Sequence, residues 1–295
     1  MIPPGRSVGW VEHPVGFGDD GSLVGTVCVP AHPSSADPPA VVFLNAGIIH
    51  RTGPNRVYVH MARTLAEMSV PSLRFDLSGI GDSAARGGEG ALSLRDQVAG
   101  DTDQALAFLR ERWGLSRFVL LGLCSGADHA LWLTGQRADV AGVVLLDLNM
   151  DRPPGYTFHH YRRRILKPSS WWNVLTGRHP ALRNALRRGG AGGDRPRFST
   201  TLQRSQAAAA LHAAAERRAP VLAVFTGDVE YQYNHRGQMR RLFRDVPLEG
   251  TLTELYRPSA DHTFSLPTEQ EWLLARVAEW AGGVAFPDLV GRDGG

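Results

Sequence analysis

Short, continuous runs of apolar residues recur along most of the chain and predict buried strands. Between them, apolar residues recur every three or four positions, which is typical of amphipathic helices. The apolar runs cover Ala40–Leu44, Val70–Phe75, Phe118–Leu123, Val140–Leu146 and Val221–Thr226, followed by a more polar run at Leu252–Tyr256. The helical spacing covers Val57–Glu67, Leu94–Trp113, Ala127–Arg137 and Glu269–Trp280. Because strands that are apolar on both sides need helices over both faces, this order predicts an α/β fold with a mostly parallel sheet.

The beginning of the chain follows a different pattern, in which apolar and polar residues alternate. The alternation covers Val8–Val11 and Leu23–Val29, with the turn-forming sequence Gly18-Asp19-Asp20-Gly21 between them. Alternation on both sides of such a turn predicts an antiparallel hairpin. The hairpin precedes the series of alternating strands and helices.

One interval is far longer than a single crossover between strands needs. About seventy residues separate Leu146 from Val221, and they include the pair Trp171-Trp172 and an alanine-rich stretch of helical pattern from Leu202 to Arg218. We interpret the interval as an inserted helical cap followed by a crossover helix. The expected units are a core of residues 1–150 and 206–295 and a cap of residues 151–205.

The net charge of +3 is distributed unevenly. Residues 151–197 contain ten Arg and Lys167, the chain's only lysine, against two Asp, so this basic segment carries +9 and the remaining residues sum to −6. If these arginines face a substrate pocket, they attract an anionic small-molecule substrate or an acidic acyl carrier protein. If they face water, they attract neither partner to the pocket. No aromatic interleaving or helix-turn-helix pattern accompanies the arginines, so no nucleic-acid partner is expected.

Cysteine content and hydropathy narrow the class further. Two cysteines, Cys28 and Cys124, exclude a disulfide framework, and no Cys/His spacing is typical of zinc, so we expect no metal and no cofactor. Cys28, in the hairpin, is expected to be a small buried apolar residue. No apolar run is long enough to cross a membrane and the N-terminus has no apolar core, so we expect a cytoplasmic protein without membrane contact.

The strongest chemical signal is Gly122-Leu123-Cys124-Ser125-Gly126, which lies between an apolar strand and a helix. A strained strand-to-helix turn needs small residues two positions before and two after the residue at its tip, because the backbone passes close to itself there. The glycines have those offsets from Cys124, which is therefore the candidate nucleophile. The N-terminus of the following helix places the backbone N–H of Ser125 where an oxyanion would form.

A histidine and a carboxylate complete the candidate chemistry. His262 follows the last strand, where a general base can reach a nucleophile on such a turn. Asp228 and Glu230 follow the strand Val221–Thr226, and either can orient the imidazole; Asp147, after the preceding strand, is a third alternative. Each of the three carboxylates can instead be an ordinary loop residue that caps a helix.

These motifs make the sequence resemble the α/β-hydrolase superfamily over nearly its whole length. The order Cys124, Asp228 or Glu230, His262 matches the family's nucleophile–acid–histidine order. Phe43-Leu44-Asn45-Ala46-Gly47 is similar to its oxyanion strand, with Asn-Ala in place of His-Gly, and Asp76–Ser83 to its Asp-x-x-Gly-x-Gly-x-Ser turn. Gly-Leu-Cys-Ser-Gly looks closer still to a bacterial subgroup with Cys at the turn, including hydrolases associated with exosortase systems. The resemblance implies an inserted lid, and oxyanion donors at Ser125 and in the Ala46–Gly47 region.

The residues that follow the oxyanion strand are candidates for substrate binding. Asn45, His50 and Arg51 are placed to face the pocket and to bind an anionic group, although solvated loop residues give the same pattern. Trp171 and Trp172 are expected either to line the pocket from the cap or to pack within the cap.

Three functions are compatible with this reading. The first is a hydrolase or acyltransferase with a Cys–His–acid triad, acting on an ester or thioester of a small anionic metabolite. The Arg- and Ala-rich composition is typical of high-GC bacteria, which favours specialised metabolism. The second is a lyase that eliminates an acyloxy group such as acetate from an acylated, tetronate-like intermediate. The third is a non-catalytic binding protein, because a fold does not determine a reaction.

Overall fold

A single eight-stranded sheet forms the centre of the molecule. The computed structural model describes residues 9–18, 21–32, 37–86, 93–149, 202–229 and 232–285. The strands are β1 (Trp10–Phe17), β2 (Leu23–Pro30), β3 (Ala40–Leu44), β4 (Ser72–Phe75), β5 (Phe118–Leu123), β6 (Val140–Leu146), β7 (Val221–Thr226) and β8 (Leu252–Arg257). Their order across the sheet is β1-β2-β4-β3-β5-β6-β7-β8. Only β2 runs antiparallel to its neighbours β1 and β4, and the other pairings are parallel.

Helices cover both faces of this sheet. They are α1 (Val57–Glu67), α2 (Leu94–Trp113), α3 (Ser125–Gln136), α4 (Arg204–Glu216), α5 (Gln238–Leu242) and α6 (Pro267–Ala285). Alternate residues of one strand enter two separate cores: Val42 packs with α2, α3 and α4, whereas Phe43 packs with α1 and α6. This two-sided burial explains why the strands read as continuous apolar runs. None of the described helices is both long enough and apolar enough to span a bilayer.

The predicted α/β class and the antiparallel hairpin are confirmed, with shifts at some strand ends. β1 runs from Trp10 to Phe17 rather than ending near Val11, because it is an edge strand that is half-exposed and needs no continuous apolar sequence. β4 begins at Ser72 rather than Val70, since Pro71 has no N–H to donate to a ladder. Cys28 is fully buried, as expected.

The predicted cap falls almost entirely outside the described residues. Helix α4 begins at Arg204, two residues before the expected core boundary at 206. Trp171 and Trp172 lie outside the described ranges, as does the basic segment, residues 151–197.

The parallel strands bring the candidate residues to one edge of the sheet. Leu44 of β3 lies opposite Gly122 of β5, and Leu123 of β5 lies opposite Leu146 of β6. Residues that directly follow β3, β5, β6, β7 and β8 therefore meet at the carboxyl edge of the sheet, where open α/β sheets place their sites.

Candidate active site

Cys124 occupies the tip of a sharp turn between β5 and α3. Its backbone is at φ 58° and ψ −121°, a conformation that L-residues rarely adopt. A Cβ at Gly122 would overlap the backbone of Gly126, and a Cβ at Gly126 would lie 2.7 Å from the carbonyl oxygen of Asn45. The two glycines therefore allow the turn, which presents a half-exposed thiol above the helix N-terminus.

His262 and Asp147 form an ordered pair beside this thiol. The ring Nδ1 of His262 lies 2.8 Å from Oδ2 of Asp147, whose side chain is fully buried. Thr226, the last residue of β7, donates its backbone N–H and its hydroxyl to the two oxygens of Asp147, each at 2.7 Å. A carboxylate held in this way fixes the ring and leaves its other nitrogen for Cys124.

The carboxylate against the ring is therefore Asp147, the third of the alternatives from the sequence, and not Asp228. Asp228 accepts a hydrogen bond from the backbone N–H of His262, at 3.0 Å, and so holds the loop rather than the ring. Glu230 lies outside the described residues. In the sequence, Asp147 follows the apolar run of β6 much as Asp228 follows that of β7. Position after a strand therefore does not distinguish the two carboxylates.

The contacts of the imidazole change its charge. The hydrogen bond to Asp147, followed by one to Cys124, raises the pKa of His262 to about 10, although burial acts in the opposite direction. At neutral pH the ring is therefore protonated in the folded protein. The group beside the Cys124 sulfur is an imidazolium, which can stabilise a thiolate and deliver a proton to a leaving group.

The loop after β3 approaches Cys124 from the other side. Gly47 is exposed and has φ +60°, which suits glycine. Its backbone N–H donates to the hydroxyl of Ser125 at 2.8 Å, so the two regions expected to hold an oxyanion are in direct contact. Ala46 is buried beneath this loop, and its carbonyl accepts from the N–H of Ile49 at 3.1 Å.

Asn45 has a structural role in that loop. It is 2% exposed, and its amide donates to the carbonyl of Ile49 and to Asp76, while its oxygen accepts from the N–H of Leu77. These contacts join the ends of β3 and β4 and use the polar atoms of Asn45 within the protein. Substrate binding by Asn45 stays a prediction.

Arg51 is likewise engaged by the protein. Its Nη1 lies 2.5 Å from Asp76, 2.7 Å from Asp82 and 2.7 Å from Nε2 of His50. The imidazole and the two carboxylates lie within 4.8 Å of one another in a metal-like arrangement, and the guanidinium occupies it. Arg51 therefore already has two carboxylate partners, and its contact with an anionic substrate stays a prediction. His50, 36% exposed, remains at the surface of this cluster.

Tyr58 is a site residue that the sequence patterns did not indicate. Its buried hydroxyl donates to the carbonyl of Leu44 at 3.1 Å and accepts from the N–H of Leu123 at 2.9 Å. It thus joins the last residues of β3 and β5 directly below the turn of Cys124. In sequence it is one of several apolar-face residues of α1, so only the helix packing reveals its role.

Comparisons with known proteins agree with this architecture. An esterase of Pyrococcus furiosus superposes with a TM-score of 0.54 at 16% identity, covering 94% of this chain and 91% of that chain. The chain has the α/β-hydrolase fold. A proline iminopeptidase of Mycobacterium smegmatis (TM-score 0.53, 15% identity, 94% and 99% covered) and the esterase domain of a Rhodothermus marinus protein (0.52, 17%, 92% and 97%) are similar to the same extent. No family model and no curated protein matches the chain.

Proposed function

We propose that this α/β-hydrolase-fold protein is an acyl-transferring enzyme that uses Cys124, His262 and Asp147 as a catalytic triad. The observation that carries the proposal is the buried Asp147 bound to Nδ1 of His262 beside a thiol on a strained turn. A nucleophile, an imidazole and an orienting acid in this order are the elements of covalent acyl transfer. The solved structures of similar fold include esterases, which supports the same class of reaction.

The proposed reaction proceeds through a thioester on Cys124. In the proposed step the Cys124 sulfur passes its proton to the His262 ring and attacks the carbonyl carbon of an ester or thioester, and the carbonyl electrons move to the oxygen. When the intermediate collapses, the leaving alkoxide or thiolate takes the proton from His262. The neutral ring then accepts a proton from water or another acceptor, which attacks the acyl group and releases Cys124. Asp147 stabilises the imidazolium in both halves.

We propose an anionic acyl substrate of specialised metabolism, either a small molecule or an acyl group on an acidic carrier protein. The support is the charge of the basic segment, +9 within a chain of net +3. This segment begins at Asp151, only four positions beyond Asp147 in the chain.

The test is the covalent intermediate itself. The protein is mixed with p-nitrophenyl acetate or an acetyl thioester, quenched within the first turnover and measured by intact mass and peptide mapping. We expect one acetyl group on Cys124, lost in Cys124→Ala and retained in the matched variant Cys28→Ala, because Cys28 is fully buried. Unchanged turnover in Cys124→Ala would contradict the proposed nucleophile.

A second measurement separates acyl transfer from elimination of an acyloxy group. The reaction is run in heavy-oxygen water with acylated substrates that can also eliminate. Hydrolysis through Cys124 places the label in the released acid, as proposed. Unlabelled acid together with a new alkene would instead assign the site to a lyase.

A further inference from the structure

We propose that the side-chain hydroxyl of Ser125, and not only its backbone N–H, stabilises the oxyanion during attack by Cys124. This inference rests on the proposed function and adds a donor to it. It assigns the Ser125 side chain a role in the reaction. In this role the N–H of Gly47 positions the Ser125 hydroxyl by donating to it.

The contact between the two loops carries the inference. Ser125 begins α3 directly after Cys124, and its Oγ accepts the backbone N–H of Gly47 at 2.8 Å. The Gly47 donor is thus already used by a hydroxyl that lies at the boundary of the site. A substrate oxygen that bound both backbone N–H groups would first have to displace this hydroxyl.

The hydroxyl proton has no competing partner in the described part of the chain. No described residue accepts a hydrogen bond from Oγ of Ser125, although a hydroxyl can accept and donate at once. Because Gly47 donates to this oxygen, the O–H remains available as a donor to a bound group. An oxygen that accepts one hydrogen bond becomes a stronger donor of the next.

The backbone of the same residue supplies the second donor. As the first residue of α3, Ser125 has a backbone N–H without a partner inside the helix. The N–H and the O–H therefore belong to one residue, the one that directly follows Cys124. Gly47 acts as a positioning residue, since its N–H fixes the oxygen from which the proton is donated.

The experiment compares two reactions of the same thiol. Acylation of Cys124 by p-nitrophenyl acetate develops an oxyanion, whereas alkylation by iodoacetamide displaces iodide and develops none. Rates of both are measured in the parent protein, in Ser125→Ala and in Ser125→Thr, with Cys28→Ala as the common background so that Cys124 is the remaining cysteine.

We expect Ser125→Ala to slow acylation by about 10²–10³-fold, the usual loss for one oxyanion donor, and to leave alkylation within about twofold. Ser125→Thr keeps the hydroxyl and should restore most of the acylation rate. Unchanged alkylation also shows that the turn is intact in the alanine variant.

Two outcomes would overturn the inference. If Ser125→Ala is acylated as fast as the parent or faster, the hydroxyl only fills the site and Gly47 is the donor. If both reactions slow equally, Ser125 serves the turn and not the oxyanion. Failure of the proposed function looks different, because the parent protein itself would then form no acetyl adduct on Cys124.

Discussion

At the scale of single residues, two carboxylates from adjacent strands serve one histidine in different ways. Asp147 follows β6 and binds the ring, whereas Asp228 follows β7 and binds the backbone N–H. The difference arises because Thr226 directs both of its donors toward Asp147. These two hydrogen bonds offset the free-energy cost of burying a carboxylate at that position. Sequence spacing treats the two acids alike, so only their surroundings separate them.

The two acids are predicted to respond differently to the same substitution. Asp147→Asn presents an amide to Nδ1 and favours the wrong tautomer of His262, so kcat/KM for an activated ester should fall by about 10³–10⁴-fold. Asp228→Asn keeps an oxygen that accepts the backbone N–H and should stay within about tenfold of the parent. Steady-state kinetics of both variants make the comparison, and a larger loss in Asp228→Asn would reverse the assignment.

The raised pKa of His262 predicts how stability depends on pH. The folded-state pKa, about 10, lies above the unfolded value of 6.5, so the contact stabilises the fold fully below pH 6.5 and the contribution is lost as pH rises through about 10. The difference in unfolding free energy between the parent and His262→Gln should therefore shrink over this window. Urea unfolding of both proteins across the window measures it, and a difference that grows with pH would refute the protonated ring.

At the scale of elements, the sequence predicts what depends on local pattern and misses what depends on neighbouring strands. Apolar runs locate β5 and β6 because these strands are buried on both faces, and the offsets of Gly122 and Gly126 locate the turn between β5 and α3. The partner of the His262 ring, the loop role of Asn45 and the bridge made by Tyr58 each require contacts across the sheet. Their residue types alone carry no such information.

Substitutions at a glycine of the turn and at a glycine of α6 should have opposite effects on stability. Gly122→Ala drives a methyl group into the backbone of Gly126 and should either prevent folding or destabilise the protein by several kcal/mol, about the scale of severe core changes. Gly283→Ala meets open space within α6 and should stabilise by about 0.5–1 kcal/mol. Thermal and urea unfolding of the two variants test the pair, and equal effects would show that the turn is not tightly packed.

At the scale of the whole molecule, charge is divided between the core and the basic segment. The segment leaves the core after Asn149, whose backbone N–H and amide both bind Asp128 of α3. Asp128 lies in the first turn of α3, the helix that directly follows Cys124. The segment of charge +9 begins two positions after Asn149, while the rest of the chain carries −6.

This division predicts a salt dependence that distinguishes substrates. For the anionic ester mono-p-nitrophenyl succinate, kcat/KM should fall severalfold as salt rises from about 0.01 M to about 0.15 M and the Debye length shortens from about 30 Å to about 8 Å. The neutral butyrate ester should change little, because it has no charge to attract. If kcat/KM depends on salt in the same way for both esters, the basic segment does not attract the substrate.

Arg51 has a consequence for how the site is maintained. Two aspartates and a histidine that converge as Asp76, Asp82 and His50 do form a group that could hold a metal ion. Here the cation is part of the polypeptide, fixed between Asp76 and Asp82 by its own chain. The two carboxylates are therefore balanced by a positive charge that the loop itself carries.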